Sequence, residues 1–312
     1  MDSPLISVII PCYKQAHFIR DAIGSVQAQS LEEWEVIVVD DGSPDNTAAI
    51  TQAICATDDR VRLLRKPHGG LSSARNAGLR AARGRFIQFL DADDTIAAHK
   101  FRNDLFQVAG IDDACLVLCD YAMLTANGEL TAIEHSQPRF LSADPELELA
   151  VRWENNLSIP IHCGLIDARL FAGNDQSFNE QLPNHEDFLM WLKLLARKPV
   201  IRFSYSCDAF YRRNPEGMSR NHRAMYEGFR AAIEQRLSAG PVRPELRHAL
   251  QAKRSIVDNS YGYGTRARIR KSLEHAQQIR VLPYRVYCLL LRLWGIGIRE
   301  QQAALSRSHG LK

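Results

Sequence analysis

At 312 residues, with 46% apolar and 24% charged side chains, the chain carries enough apolar material for a packed core, which excludes a disordered protein. The net charge of +3 hides an asymmetry: residues 212–312 hold 20 Lys and Arg against 7 Asp and Glu, whereas residues 1–211 hold 19 against 29. A basic tail on an acidic body is expected to meet something anionic, with no nucleic-acid partner expected.

The first 120 residues alternate two kinds of segment. The stretches 5–11 (LISVIIP), 35–40, 61–64, 85–90 and 115–119 are short, rich in Val, Ile and Leu, and apolar almost without a break, as strands covered on both faces are. Between them the spacing predicts helices over about 16–29, with Phe18, Ile19, Ala22, Ile23 and Val26 on one face, over 45–56 after a cap at Ser43, and over 72–82 after Ser72 or Ser73. The expected core is therefore an α/β fold, a mostly parallel sheet flanked by helices, in which ligands bind beyond the carboxyl ends of the strands. The residues at those ends are Pro11 to Lys14, Asp40 to Ser43, His68 to Gly70 and Asp91 to Asp94, so polar groups and glycines gather on one edge.

Residues 140–210 read less regularly: SIPIHCGLI at 158–166, a polar loop at 178–187, a helix over 188–198 and a strand over 200–206. Beyond 220 the pattern is helical and basic, with breaks at 240–244 and 261–264. The expected division is a domain at 1–220 and a basic helical C-terminal extension at 221–312.

Seven cysteines without CxxC spacing, including Cys115 and Cys119 on one strand, fit reduced core thiols of a cytosolic protein. The N-terminal apolar run stops at Pro11 and lacks a basic flank, so it is expected to be a strand and not a signal peptide. The run from Val286 is interrupted by Arg292 and falls short of the ~20 residues that span a bilayer.

Five constellations carry candidate chemistry, each with a plainer structural reading. In DADD, Asp91 and Asp93 project to one side of an extended chain and could hold a hard divalent cation through oxygen ligands; an Asp-rich turn with a cap is the alternative. In VVDDGS, Asp40 or Asp41 could accept hydrogen bonds from a nucleoside, or could cap a strand-to-helix turn that Gly42 makes tight. In HGGLSSARNAG, the glycines could admit a phosphate or sugar to the backbone, with Arg75 reaching an acidic group, although glycine loops before helices are common. In NHEDFLMWL, Glu186 and Asp187 suit a helix N-terminus, or one of them serves as a general base. In YRRNPEGMS, Arg212 and Arg213 could fold over a diphosphate from a loop after a strand, or face water. His68, His99, His162 and His185 receive no role.

Taken in order, these pieces resemble the inverting, nucleotide-sugar-dependent glycosyltransferases of family 2, whose fold is called GT-A. The resemblance is close over about 5–120, loose over 155–220, and absent from the last ninety residues. It implies that the segment of Pro11 and Tyr13 and the acid Asp41 contact the nucleotide, that Arg75 ties the glycine loop to the acidic site, and that Asp91 and Asp93 form the DXD motif. Within that motif Asp93 is the direct ligand of Mn2+ or Mg2+, with Asp91 at the metal or the ribose. Asp187 matches the position that removes the acceptor proton, with Glu186 beside it and Arg212 near the donor. Lys14 stands where the family usually has Asn, and Asn214 where many members have His, a position for which Arg212, Arg213 or Ser219 would substitute.

The implied activity is transfer of a hexosyl or N-acetylhexosaminyl group from a nucleotide diphosphate sugar, expected to be a UDP-sugar, to a hydroxyl of a glycan or lipid-linked acceptor in surface polysaccharide or glycoconjugate biosynthesis. A glycoside hydrolase and an inactive sugar-nucleotide-binding protein are the rival classes. Arg285, Arg292 and Arg299 recur on one side of a helix expected over 284–299, with Arg266, Arg268, Arg270 and Lys271 upstream. That helix either lies on the anionic inner face of the membrane, making a cytoplasmic protein peripheral there, or packs on the core or on a second copy of the chain.

Overall fold

A computed structural model describes residues 3–130, 139–153, 157–173, 177–214 and 221–260. Packing groups the chain into two units, Met1–Leu250 and Gln251–Lys312. The expected helix over 284–299, its upstream basic residues, Ser219, Cys288 and the break at 261–264 all lie outside the described residues.

The alternation read from the first 120 residues is present: β1 (Ile6–Cys12), α1 (Ile19–Gln27), β2 (Trp34–Asp40), α2 (Thr47–Cys55), β3 (Val61–Arg65), α3 (Leu71–Ala81) and β4 (Phe86–Phe89). There follow β5 (Thr95–Ile96), α4 (Lys100–Gln107), β6 (Cys115–Leu124), α5 (Pro145–Arg152), β7 (Gly164–Asp167), α6 (Glu186–Leu195), β8 (Val200–Arg212), α7 (His222–Ser238) and α8 (Pro244–Ser260). The described strands form one sheet in the order β3-β2-β1-β4-β7-β6-β8-β5. β3, β2, β1 and β4 run parallel, β7 is antiparallel to both its neighbours, β6 and β8 are parallel to each other, and β5 closes the edge antiparallel to β8.

Every residue of β1 and β2 is buried, which is why both read as nearly continuous apolar runs, and the buried Ser7 hydroxyl donates to the Glu35 carboxylate between them (2.7 Å). α1 covers one face with Ile19, Ala22, Ile23 and Val26, a spacing of three and four residues. α3 covers the other so closely that a Cβ at Gly78 would meet Ile9 Cγ2 at 2.3 Å. Because β1 is followed by β2 on one side and pairs with β4 on the other, the chain reverses its winding there, and a crevice opens above the carboxyl end of β1.

Several boundaries differ from expectation. α2 begins at Thr47, because Ser43 is committed elsewhere: its N–H donates to Asp40 Oδ1 (2.9 Å) and its hydroxyl accepts from the Lys14 N–H (3.1 Å). α3 begins at Leu71 after Gly70, whose φ of +87° glycine adopts without strain, so Ser72 and Ser73 are buried inside the helix and do not cap it. α6 starts at Glu186, two residues earlier than expected. β6 and β8 are longer than expected because they pair along their whole lengths through an irregularity at Asp120, which puts Arg212 at the end of a strand and not in a loop. Asp208 in that strand is an unfavourable residue on propensity, but Asn103 Nδ2 donates to it at 2.9 Å.

Candidate active site

Above the carboxyl ends of β1, β2 and β4 lies a cleft of about 940 Å3, and its lining includes Pro11, Tyr13, Asp41, Asp91, Asp93, Glu186 and Arg212. Seven of the nine residues singled out from the sequence thereby line one cavity. The other two lie just behind its lining: Arg75 is buried in α3, and Asp187 is half-buried in the first turn of α6, next to the lining residue Glu186.

One wall is built on Asp41. Its carboxylate accepts from the backbone N–H groups of Gly69 (3.0 Å) and Gly70 (2.7 Å) and from Lys66 Nζ (2.6 Å), and His68 Nδ1 lies 2.9 Å from it. Both oxygens thus hold the 66–70 loop in place. Gly42 takes a φ of +73°, and a Cβ there would approach His68 N to 2.9 Å, so the tight turn that VVDDGS suggests is a property of the fold. The loop in turn lays the His68 ring on Tyr13, with centroids 4.2 Å apart and planes 27° apart, and the 37% exposed Tyr13 carries Lys14 Nζ 5.2 Å from its ring centre. A flat aromatic surface beside a fixed carboxylate and an ammonium is suited to a nucleobase. His68 and Lys66 were missed in the sequence; the only signal was their place just before the glycines.

The opposite wall is DADD. It is not extended: the N–H of Asp94 donates to the carbonyl of Asp91 at 3.0 Å, closing a turn that presents Asp91 and Asp93 to the cleft. Asp94 points away and is buried, accepting from the backbone N–H of Arg212 (2.8 Å), with His162 Nδ1 3.2 Å from its other oxygen. Burial, then the charges of Asp93 and Asp91, hold its carboxyl well above the usual carboxylate range. Burial and the Asp91 charge raise Asp93 too, while Asn214 Nδ2 donates to its Oδ2 at 3.3 Å. Asn214, at the position of the missing histidine, therefore touches Asp93. Arg212 braces the turn from behind: Nε donates to the Asp93 carbonyl (2.8 Å), Nη1 to the Ala126 carbonyl (3.3 Å) and Nη2 to Asp21 (3.0 Å).

Arg75 joins the two acidic motifs. Only 2% exposed, it extends from α3 to donate Nη2 to Asp91 Oδ1 and Nη1 to Glu186 Oε1, both at 2.6 Å. Burial opposes its charge, yet the carboxylates of Asp91 and Glu186 outweigh that and raise its pKa. Arg75, in the helix that follows the glycine loop, thus reaches the acidic cluster. Asp187 sits one residue beyond, its Oδ1 accepting from the Phe188 N–H at 2.7 Å, and burial followed by the Glu186 charge pushes its carboxyl up to about 6.

No group of three or more His, Cys, Asp and Glu among the described residues could by itself hold a metal ion. What the cleft offers is two carboxylates, Asp91 with 30% exposure and Asp93, mostly buried with the Asp91 charge beside it. That donor set fits a hard divalent cation whose remaining ligands are the oxygens of a bound phosphate and water.

The sequence pattern of the family described as "Glycosyl transferase family 2" matches residues 7–164. The glycosyltransferase EpsJ of Bacillus subtilis (strain 168), described as uncharacterized, is 28% identical over 218 residues, which span 69% of this chain and 63% of EpsJ. The chondroitin synthase of Pasteurella multocida (strain Pm70) is 30% identical over 191 residues, 61% of this chain and 19% of the synthase. The chain thus spans less than two thirds of either relative. Among solved structures, S. aureus TarS 1–349 in complex with UDP-GlcNAc aligns with a TM-score of 0.63 at 22% identity over 82% of this chain and 72% of that one. The mannosyltransferase PcManGT from Pyrobaculum calidifontis, in complex with GDP-Man and Mn2+, aligns with a TM-score of 0.65 at 17% identity over 94% and 80%.

Proposed function

Because the chain belongs to glycosyl transferase family 2 and has the GT-A fold, we propose that it is an inverting glycosyltransferase using a nucleotide diphosphate sugar, with UDP as the nucleotide. The sugar is a hexosyl or N-acetylhexosaminyl group, and the acceptor is a hydroxyl of a glycan or lipid-linked molecule in surface polysaccharide or glycoconjugate synthesis. The observation that carries this reading is the double bridge of Arg75 to Asp91 and Glu186. It links a donor-side carboxylate to an acceptor-side carboxylate across one cleft, as transfer requires and as a simple binding protein does not.

In this reading Pro11, Tyr13 and Asp41, with His68 and Lys66, receive the base and ribose. Asp91 and Asp93 would hold Mn2+ or Mg2+, which when bound supplies positive charge to the diphosphate leaving group. Arg212 keeps the turn that presents them. Asp187 takes the proton of the acceptor hydroxyl as its oxygen attacks the anomeric carbon, Glu186 orients the acceptor, and the bond from that carbon to the diphosphate oxygen breaks with its electron pair leaving on the diphosphate. Attack opposite the leaving group inverts the centre.

Support for the donor class comes from the UDP-GlcNAc and GDP-Man complexes of the structural neighbours, and for a glycan acceptor from the synthase relative. That all the cleft-lining residues fall between Pro11 and Asn214 supports a transferase domain at 1–220 followed by a basic helical extension at 221–312, of which α7 and the start of α8 pack with the first unit. No described helix is long and apolar enough to cross a membrane; peripheral contact with an anionic membrane or pairing with a second copy belongs to the same proposal.

A panel of UDP-, GDP- and dTDP-sugars tested with and without Mn2+ decides the donor. At a concentration about 100 times its dissociation constant, the true donor should stabilise the fold by about 2.7 kcal/mol, raising the midpoint by roughly 5–10 °C for a unit of this size, and only with metal. No shift from any member would overturn the reading. Asp93→Ala should weaken donor binding in Mn2+ at least about tenfold, or ~1.4 kcal/mol, down to the level seen in EDTA. Undiminished metal dependence in that variant would take the metal away from Asp93.

A further inference from the structure

Helix α7 contributes no residue to the cleft lining, yet it grips the chain on either side of Glu186 and Asp187. Asn184 Nδ2 donates to the carbonyl of Ala224 at 2.8 Å, and Asn184 Oδ1 lies 2.7 Å from His185 Nδ1. Position 228 of α7 faces that carboxamide so closely that a Cβ there would lie 1.9 Å from Asn184 Oδ1 and 2.5 Å from its Cγ. A side chain at 228 would force the Asn184 carboxamide out of its place. One residue on, the Phe229 ring lies flat on His185, with centroids 4.5 Å apart and planes 4° apart, and meets Phe188 edge-on at 5.1 Å and 87°. His185 takes a φ of +57°, a conformation uncommon for a side chain of its size, and surrounding contacts have to hold it there.

These contacts fall on Asn184 and His185 before the acidic pair and on Phe188 after it. The Asp187 carboxylate is in turn oriented by the N–H of Phe188. We infer that α7 is a positioning element of the active site: the Asn184–Gly228 contact and the His185–Phe229–Phe188 ring cluster fix the backbone from which Asp187 projects. The inference rests on the reading of Asp187 as the base. It makes a helix beyond residue 220, counted with the extension on sequence grounds, necessary for turnover although remote from the donor. A base displaced by about 1 Å costs on the order of a hundredfold in rate, whereas the nucleotide wall of Asp41, Tyr13 and His68 rests on other elements.

The test uses the full chain, the donor selected by the panel above, and release of nucleotide as the measure of turnover. Gly228→Ala should lower kcat at least about tenfold while donor KM and dissociation constant stay within about twofold. Alanine favours a helix interior over glycine, so weakening of α7 itself does not account for such a loss. In an Asn184→Ala background the same substitution should have no further effect, because its clash partner is gone. If Gly228→Ala does not fold, Phe229→Leu, which removes the stacked ring without a clash, should show the same split between kcat and KM. A kcat within twofold of wild type, or an equal loss in kcat and donor affinity, would overturn the inference. Wild-type turnover in Gly228→Ala beside an inactive Asp187→Asn would sink the positioning role alone. An active Asp187→Asn would sink the base assignment and this inference with it.

Discussion

Asp187→Asn is expected to cut turnover at least about a thousandfold while leaving the donor dissociation constant within about threefold. The substitution keeps the shape of the side chain and removes its ability to take a proton, so the loss falls on the chemical step. Burial and the neighbouring Glu186 carboxylate push the Asp187 carboxyl up to about 6, close to the working pH of a base that must be ionised at rest and basic enough to accept a proton. The wild-type rate should therefore climb with pH through about 6 and level off above it, and this acid limb should be missing from any residual activity of the variant.

The stability effect has the opposite sign. A carboxyl whose pKa in the folded chain lies above its ordinary 3.8 opposes folding above about pH 6, and the penalty fades as the pH falls through 6 toward 4. Asparagine removes the penalty. With Asp187 partly open to solvent, the gain at pH 7.5 should be on the order of 1 kcal/mol, shrinking toward zero near pH 4. Single-turnover rates and urea unfolding across pH 4–8 check both halves. Turnover within tenfold of wild type would move the base to another residue, and a destabilised variant would mean that the Asp187 charge is better compensated than its surroundings indicate.

Arg75→Met should produce the largest loss of stability of any single change in the cleft, about 3 kcal/mol at pH 7.5, together with loss of metal-dependent donor binding. The guanidinium is fully enclosed and pairs with two carboxylates at 2.6 Å. Methionine fills much the same volume and leaves Glu186, itself buried, as an uncompensated charge. Asp91 is better placed to recover water, being 30% exposed. Urea midpoints of the variant and the wild type at pH 7.5 measure the deficit. A deficit below about 1 kcal/mol at pH 7.5 would show that the bridge contributes as little as an exposed ion pair. Lysine should not rescue the site, because a single ammonium cannot reach both carboxylates as a planar fork does.

Much of the donor half was legible before any coordinates. Parallel strands covered on both faces are apolar at most positions, so β1, β2 and β4 announce themselves as almost unbroken runs, and the residues just past them must lie on one edge of the sheet. That is why Pro11, Asp41 and Asp91 could be grouped from one-dimensional information. The second half was not legible in the same way. β8 passes through Asp208 and β6 through Asp120, residues that propensity assigns to loops, and only pairing along ten residues between the two strands carries the chain onward to Arg212. α5 and β7 went unassigned because the sequence between 140 and 170 lacks a clean period.

The same difference runs through the site. Local chemistry alone marked Asp91, Asp93, Glu186 and Asp187 as acids clustered at element ends, and it correctly put Asp94 outside the pair that faces the cleft. It could not choose between caps, turns and catalysis, since each motif is satisfied by a bland local partner. The ordered resemblance supplied that choice, and the tertiary structure adds contacts between residues far apart in the chain: Arg75 reaching Glu186 across 111 positions, Arg212 reaching Asp93 across 119, and Phe229 lying on His185. Strand identity, helix faces and the shared edge follow from periodicity, which any stretch of sequence carries within itself. The assembled cleft, with its bridge between two acidic motifs and its clamp from α7, depends on charge and shape complementarity between segments, and that exists only once the chain has folded.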